Sequence, residues 1–469
     1  MSERIPVQII EPLEPSRANA KPKSSDNLIH SRSFTGLFRT LRLSGTGVLF
    51  LLFFGTVWLN WSGRQAVLWD LADSKFHIFG ATFWPQDFIL LSALLIICAF
   101  GLFAITVFAG RVWCGYTCPQ STWTWIFMWC EKVTEGERNQ RIKLQAAPWG
   151  INKLLRRSIK HTLWLAISLL TGLTFIGYFT PIRPLAMELL TLHLSGVSLF
   201  WVLFFTAATY INAGWLREAV CMHMCPYARF QSVMFDKDTL TVSYNAARGE
   251  HRGPRKREVE PASVGLGDCI DCQVCVQVCP TGIDIRDGLQ MECIGCAACI
   301  DACDSIMDKM GYARGLVGYT SERTLEGGKT RLMRPRLIGY CAVLTLMIGA
   351  LVMALVQRPM VSLDVSKDRG LFRENSQGQI ENIYSLKIIN KTQQSQQYHL
   401  KMVADGFEFH GKTTISLAPG EIIDIPVSVA MLAERPTSSS QRIDFQVVDD
   451  HDSSVHSQAT SRFVAPLNR

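Results

Sequence analysis

CIDCQVCVQVCP (residues 269–280) and CIGCAACIDACD (residues 293–304) are the stretches from which the rest of the chain is read. Each carries Cys-x2-Cys-x2-Cys-x3-Cys, and thirteen residues, Pro280 to Glu292, separate them. A 4Fe-4S cubane needs a thiolate at each iron corner. Two-residue spacers supply three from one tight loop and leave the fourth to come from elsewhere. In a two-cluster arrangement the distant cysteine crosses over, so one expected set is Cys269, Cys272, Cys275 and Cys303, and the other is Cys293, Cys296, Cys299 and Cys279. Paired C-x2-C also binds zinc, but two complete quartets with Pro280 after the first favour iron-sulfur. Two adjacent clusters accept and pass single electrons, with potentials tuned by burial and by hydrogen bonds to sulfur.

Working outward, the 469 residues are 48 % hydrophobic and 19 % charged, with a mean hydropathy of +0.15. That leaves too little charge for a wholly water-facing surface and excludes a disordered chain. Stretches 43–63, 88–110, 161–182 and 337–357 contain no Asp, Glu, Lys or Arg, and 189–216 holds a fifth apolar run. Each reaches the roughly 20 residues a bilayer crossing needs. Lys and Arg number seven in 1–42, nine in 111–160 and sixteen in 217–336, against two in 64–87 and one in 183–188. By the positive-inside rule the N-terminus and the 217–336 segment, including the 236–336 insert, lie on the inner, cytoplasmic side and everything after 357 lies outside. The net charge of +7 is therefore topogenic, and nucleic acid is excluded as a partner; the partner surface is lipid. Val112 to Cys130 is also uncharged but is expected as a turn and an interfacial helix, with Trp123, Trp125 and Trp129 at headgroup depth.

The expected organisation follows. Residues 1–42 form a flexible cytoplasmic arm and 43–235 a four-helix membrane region. The 236–336 segment holds a bacterial ferredoxin-like module at about 260–310, its flanks being connections. Residues 337–357 make the fifth transmembrane helix, and 358–469 form an all-β immunoglobulin-like sandwich. Alternation of polar and apolar residues marks strands at Ile380–Ile389, Gln397–Val403, Glu421–Val429 and Gln441–Val448, and this region has no cysteine.

A second cysteine pattern is repeated. Cys114-Gly-Tyr-Thr-Cys118-Pro119 follows the second span, and Cys221-Met-His-Met-Cys225-Pro226 follows the fourth. One such pair alone would read as packing of small apolar side chains. Two at equivalent topological positions suggest a duplicated hairpin whose four thiols converge near the ferredoxin insert. Cysteines four apart share a helix face and grip a soft ion or form a redox couple, with Met222, His223 and Met224 as further soft or borderline donors. Such donors favour monovalent copper and hence reduction of the oxidised ion. Arg111 and Arg229 are expected to lower the thiol pKa. Cys98, Cys130 and Cys341 lack partners at useful spacing and read as packing residues.

With GRVWCGYTCPQ (110–120), CMHMCPYARF (221–230) and CIGCAACIDACD (293–304) in one five-span chain, the sequence resembles the FixG/CcoG family of cbb3-type cytochrome c oxidase accessory proteins. The resemblance implies an oxidoreductase, with two 4Fe-4S clusters, that reduces Cu(II) to Cu(I) for the oxidase copper centre. It implies a bacterial inner-membrane location with the C-terminal domain periplasmic, and oxidase subunits or copper chaperones as partners, together with an electron donor. Cys114, Cys118, Cys221 and Cys225 then become the copper-facing or donor-facing site. Membrane ferredoxins of the NapH and NosR kind share the C-x3-C-P motif, so a quinol dehydrogenase subunit feeding a periplasmic reductase is the alternative enzyme. A redox-sensing assembly scaffold is the non-catalytic one.

Overall fold

A computed structural model describes residues 29–375, 377–432, 439–450 and 455–466. Among them five helical segments are long and apolar enough to cross a membrane: Leu37–Trp58, Pro85–Ala109, Ile151–Gly177, Gly196–Leu216 and Pro335–Val356. The helices are α1 (Leu37–Gly55), α2 (Phe88–Ala109), α3 (Val112–Tyr116), α4 (Pro119–Glu135), α5 (Arg138–Ala146), α6 (Ile151–Gly177), α7 (Ile182–Leu190) and α8 (Gly196–Thr209). They continue with α9 (Pro226–Met234), α10 (Val274–Val278), α11 (Ala298–Met310) and α12 (Pro335–Val356).

Two helices start earlier than hydropathy suggests, because partners outside the bilayer cap or neutralise their polar first turns. The Asp301 carboxylate accepts the backbone N–H groups of Phe38 (3.2 Å) and Arg39 (2.8 Å), capping α1 from the ferredoxin module. At α6, Lys153 Nζ donates to the carbonyls of Gln145 (3.0 Å) and Ala147 (2.5 Å), and Lys160 pairs with Glu135 at 2.8 Å. The arm assigned to 1–42 therefore ends in helix from Leu37, and its residues 29–36 lie against the module: Arg32 N–H donates to the Gln277 carbonyl at 2.8 Å. Residues 1–28 lie outside the described residues.

The interfacial reading of α4 is corrected. Trp123 Nε1 donates to Thr171 Oγ1 (3.0 Å), Trp164 Nε1 to the Phe127 carbonyl (3.1 Å), and Glu135 meets Lys160 (2.8 Å). These contacts run down α4 as they run back up α6, so α4 lies antiparallel along a spanning helix rather than flat at its end. Phe127, Cys130 and Glu131 are fully buried in consequence. The charge that makes this possible is internal: Glu131 binds Arg141 (3.0 Å) and Arg217 (2.6 Å).

The flanks of the ferredoxin loops are more than connections. Thr241–Tyr244 pairs antiparallel with Val317–Thr320, and Val242, Tyr244, Leu316 and Val317 enter the same apolar core as Cys269, Cys275 and Met307. At the base Arg323 pairs with Asp238 across the ribbon's flanks at 2.7 Å, and Arg334, the N-cap of α12, pairs with Asp236.

At the other end of the bundle, Val67–Asp70, Lys75–Ile78 and Ala81–Phe83 form a small antiparallel sheet. The C-terminal region is a two-sheet sandwich. One sheet orders Phe407–His410, Ile422–Met431, Ile380–Asn390 and Val361–Lys367; the other orders Thr414–Leu417, Gln396–Val403, Ser440–Asp449 and His456–Val464. Alternating inward residues, including Tyr384, Leu386, Tyr398, Phe445 and Phe463, close its core. The sandwich is fastened to the bundle through Asp87, which pairs with Arg358 and with Lys391 Nζ at 3.1 Å.

Candidate functional site

The two cysteine loops fold alike for a local reason. Gln273 and Ala297, each one residue after the second cysteine of its loop, have φ of 55° and 58°; Asp271 and Gly295, one residue before it, have φ of 51° and 65°. Left-handed residues on both sides of a cysteine curl the backbone into a concavity whose N–H groups point inward, suited to anionic sulfur. Gln273 and Ala297 are also the N-caps of α10 and α11.

One cavity, of about 380 Å³ empty volume, is lined by Cys269, Cys272, Cys275 and Cys303 with Tyr244, Ile306 and Met307. A second, of about 350 Å³, is lined by Cys279, Cys293, Cys296 and Cys299 with Ile283, Ile285 and Ile294, and Cys275 reaches it as well. No group of three or more His, Cys, Asp or Glu among the described residues closes on a point where one ion would sit. The thiols instead surround a volume, as four iron corners require. Donor set, spacing and apolar walls thus fit a cubane in each cavity. Burial pushes the thiols of Cys293 and Cys303 up to about 12 and that of Cys275 to about 11. Without metal these groups are neutral, and loading iron must displace their protons.

The C-x3-C pairs meet the second cavity from the membrane side. Gly115 lies against the cluster loop so closely that a Cβ there would come within 2.9 Å of the Cys296 Cα and the Gly295 carbonyl oxygen. A Cβ on Gly295 would stand 3.1 Å from the Arg111 carbonyl carbon. Two glycines thus remove the side chains that would separate the motif from the loop. Arg111 fixes the junction, donating to the carbonyls of Met291 and Ala228. The Cys221 loop approaches by a widened turn, in which the Cys225 N–H bonds to the Val220 carbonyl (2.9 Å), after a similar one linking Arg217 N–H to Asn212 (2.8 Å). Wide turns of this kind recur at functional sites.

The four thiols of 114, 118, 221 and 225 come close enough that charge on one opposes charge on the others. Burial first, and then these neighbours, push Cys114 up to about 11 and Cys221 to about 12. The expectation of lowered thiol pKa is therefore corrected: Arg111 acts downward but is outweighed, its guanidinium being spent on carbonyls. The Gln231 amide nitrogen lies 3.6 Å from Cys114 Sγ. Among the intervening donors Met222 is half-buried, whereas His223 and Met224 are exposed. Sequence reading missed Gly115, Gly295 and Gln231. The signal available for the glycines was their place inside CGYTC (114–118) and CIGC (293–296).

Residues 216–322 match the family model of a 4Fe-4S dicluster domain, and residues 351–466 match the model described as the IG-like fold at the C-terminal of FixG. Protein RdxB of Cereibacter sphaeroides is 37 % identical over 439 residues, covering 89 % of this chain and 92 % of its own. Protein RdxA of the same organism is 42 % identical over 388 residues, covering 79 % and 81 %. Nitrogen fixation protein FixG of Rhizobium meliloti is 36 % identical over 393 residues, covering 76 % and 75 %.

Proposed function

The chain belongs to the FixG family of membrane iron-sulfur electron-transfer proteins, and on that premise we propose that it is a cupric reductase serving assembly of a cbb3-type cytochrome c oxidase. Cys269, Cys272, Cys275 and Cys303 hold the cluster far from the membrane; Cys279, Cys293, Cys296 and Cys299 hold the near one. When bound, the two cubanes supply one-electron donors and acceptors. The single observation that carries the reading is the glycine-to-backbone contact of Gly115 with Gly295 and Cys296, which leaves no side chain between the near cluster loop and the Cys114 motif.

In this reading copper is the substrate. Cys114, Cys118, Cys221 and Cys225 do not converge on one ion position in the copper-free protein; two of these neighbouring thiols are enough to bind Cu(II) with release of their protons, and as soft donors they stabilise the Cu(I) formed when one electron arrives. Gln231 orients Cys114, and Arg111 holds the motif against the module. The basic loops support a cytoplasmic position for this end and a periplasmic one for the sandwich, where the sandwich would meet oxidase subunits or copper chaperones.

Full-length, cluster-loaded protein, reduced and kept anaerobic, should convert Cu(II) to Cu(I), read with a Cu(I)-specific chelator. In the Cys114→Ser/Cys221→Ser variant the cluster absorbance should persist while the rate falls at least tenfold. An unchanged rate in that variant would exclude these thiols as the copper site.

A further inference from the structure

Between residues 31–34, α1, α4 and the near cluster loops lies a cleft of about 730 Å³ empty volume, open to solvent. Its charge is unbalanced. Lys132 is paired with Glu137 at 3.0 Å and Arg141 with Glu131 at 3.0 Å. Arg32, Arg39 and Arg42 also line it, and no described residue forms an ion pair or side-chain hydrogen bond with any of the three guanidinium groups. Arg42 is only 5 % exposed. It lies over the face of Trp125, 5.7 Å from the ring centroid, and within electrostatic reach of the Cys296 thiol and the Tyr116 hydroxyl. Glu218 lines the adjoining cavity with Arg42 but does not come within ion-pair distance. Among the described residues none of the three has a carboxylate partner; Arg42 is the buried one, Arg39 is half-buried and Arg32 exposed, and guanidinium groups lining one cleft are planar, bidentate donors suited to phosphate.

We propose that this cleft binds a phosphate group, presented by the headgroup of an anionic phospholipid from the leaflet on the ferredoxin side. The lipid source is favoured by position. Arg39 and Arg42 stand on the first turns of a spanning helix and Arg32 just before it, and Trp125 and the 54 % exposed Trp129 flank them, the combination of basic and aromatic side chains found where helices leave a bilayer. Pro280 and Val278 from the near cluster loop form the roof, so the bound headgroup would clasp module to membrane. This site is independent of the copper reading.

The test uses full-length, cluster-loaded protein in detergent. Retention of phosphatidylglycerol and phosphatidylcholine is read by native mass spectrometry, and inorganic phosphate serves as competitor. Phosphatidylglycerol should be retained in preference to phosphatidylcholine. Retention should weaken about tenfold or more in Arg42→Gln, and also in Arg32→Gln/Arg39→Gln, whose side chains are exposed or half-buried and leave the fold intact. Lys309→Gln, an exposed charge elsewhere on the module, should change nothing. Equal displacement by inorganic phosphate at matched concentration would keep the phosphate site but overturn the lipid source. Absence of both preferences, or losses in Lys309→Gln equal to those in the Arg32/Arg39 variant, would overturn the site.

Discussion

Burial sets the state of the two thiols that face the cluster loop. With Cys114 held up to about 11 and Cys221 to about 12 by desolvation and by neighbouring thiols, both are protonated at neutral pH. Their reactivity should therefore rise only as pH approaches those values. Iodoacetamide labelling of each, followed by peptide mass spectrometry in copper-free protein, should proceed at pH 8 well over tenfold more slowly than for an unstructured cysteine. Rapid labelling at pH 8 would place a stronger positive influence beside them than Arg111 provides. At this scale the dicluster module, which a family model matches over residues 216–322, was legible, because the fixed spacing of its eight cysteines is itself the signal. The roles of Gly115 and Asp301 were not. Each acts across a junction between segments about 180 and 260 residues apart, which no local pattern encodes.

At the scale of the element, α4 shows where periodicity runs out. Its Trp-rich, uncharged start reads equally as an interfacial or a packed helix. The choice is made by Glu131, whose carboxylate joins α4 to Arg141 on α5 and to Arg217 beyond α8. Removing one partner of a buried ionic cluster leaves the others uncompensated. Glu131→Ala should thus destabilise the bundle by about 3 kcal/mol or more, read as a lowered thermal midpoint in detergent. A loss below about 1 kcal/mol would mean the two arginines relax into solvent. The starts of α1 and α6 were misread for a related reason: hydropathy stops at the first charge, whereas Lys153 is held by two carbonyls and Lys160 by the Glu135 carboxylate, and the helix continues past them.

On the scale of the whole molecule, the five spans and the sandwich were legible, since apolar length and strict alternation are physical requirements of membrane and sheet. Their docking was not. Asp87 at the head of α2 receives Arg358 and Lys391 from the C-terminal region, all three side chains being at most 10 % exposed. Asp87→Asn should loosen the sandwich from the bundle, read as faster hydrogen exchange at 358–361 and 390–394 with the sandwich core unchanged. Unaltered exchange there would show that other contacts hold the joint.

The proposed electron route depends first on the two cavities holding cubanes. The most direct measurement is iron and acid-labile sulfide analysis of oxygen-protected full-length protein, with electron paramagnetic resonance of the reduced form. About eight irons and eight sulfides per chain, with the signals of two interacting 4Fe-4S centres, are expected. Zinc in their place, or iron for a single cluster, would contradict the proposed electron route.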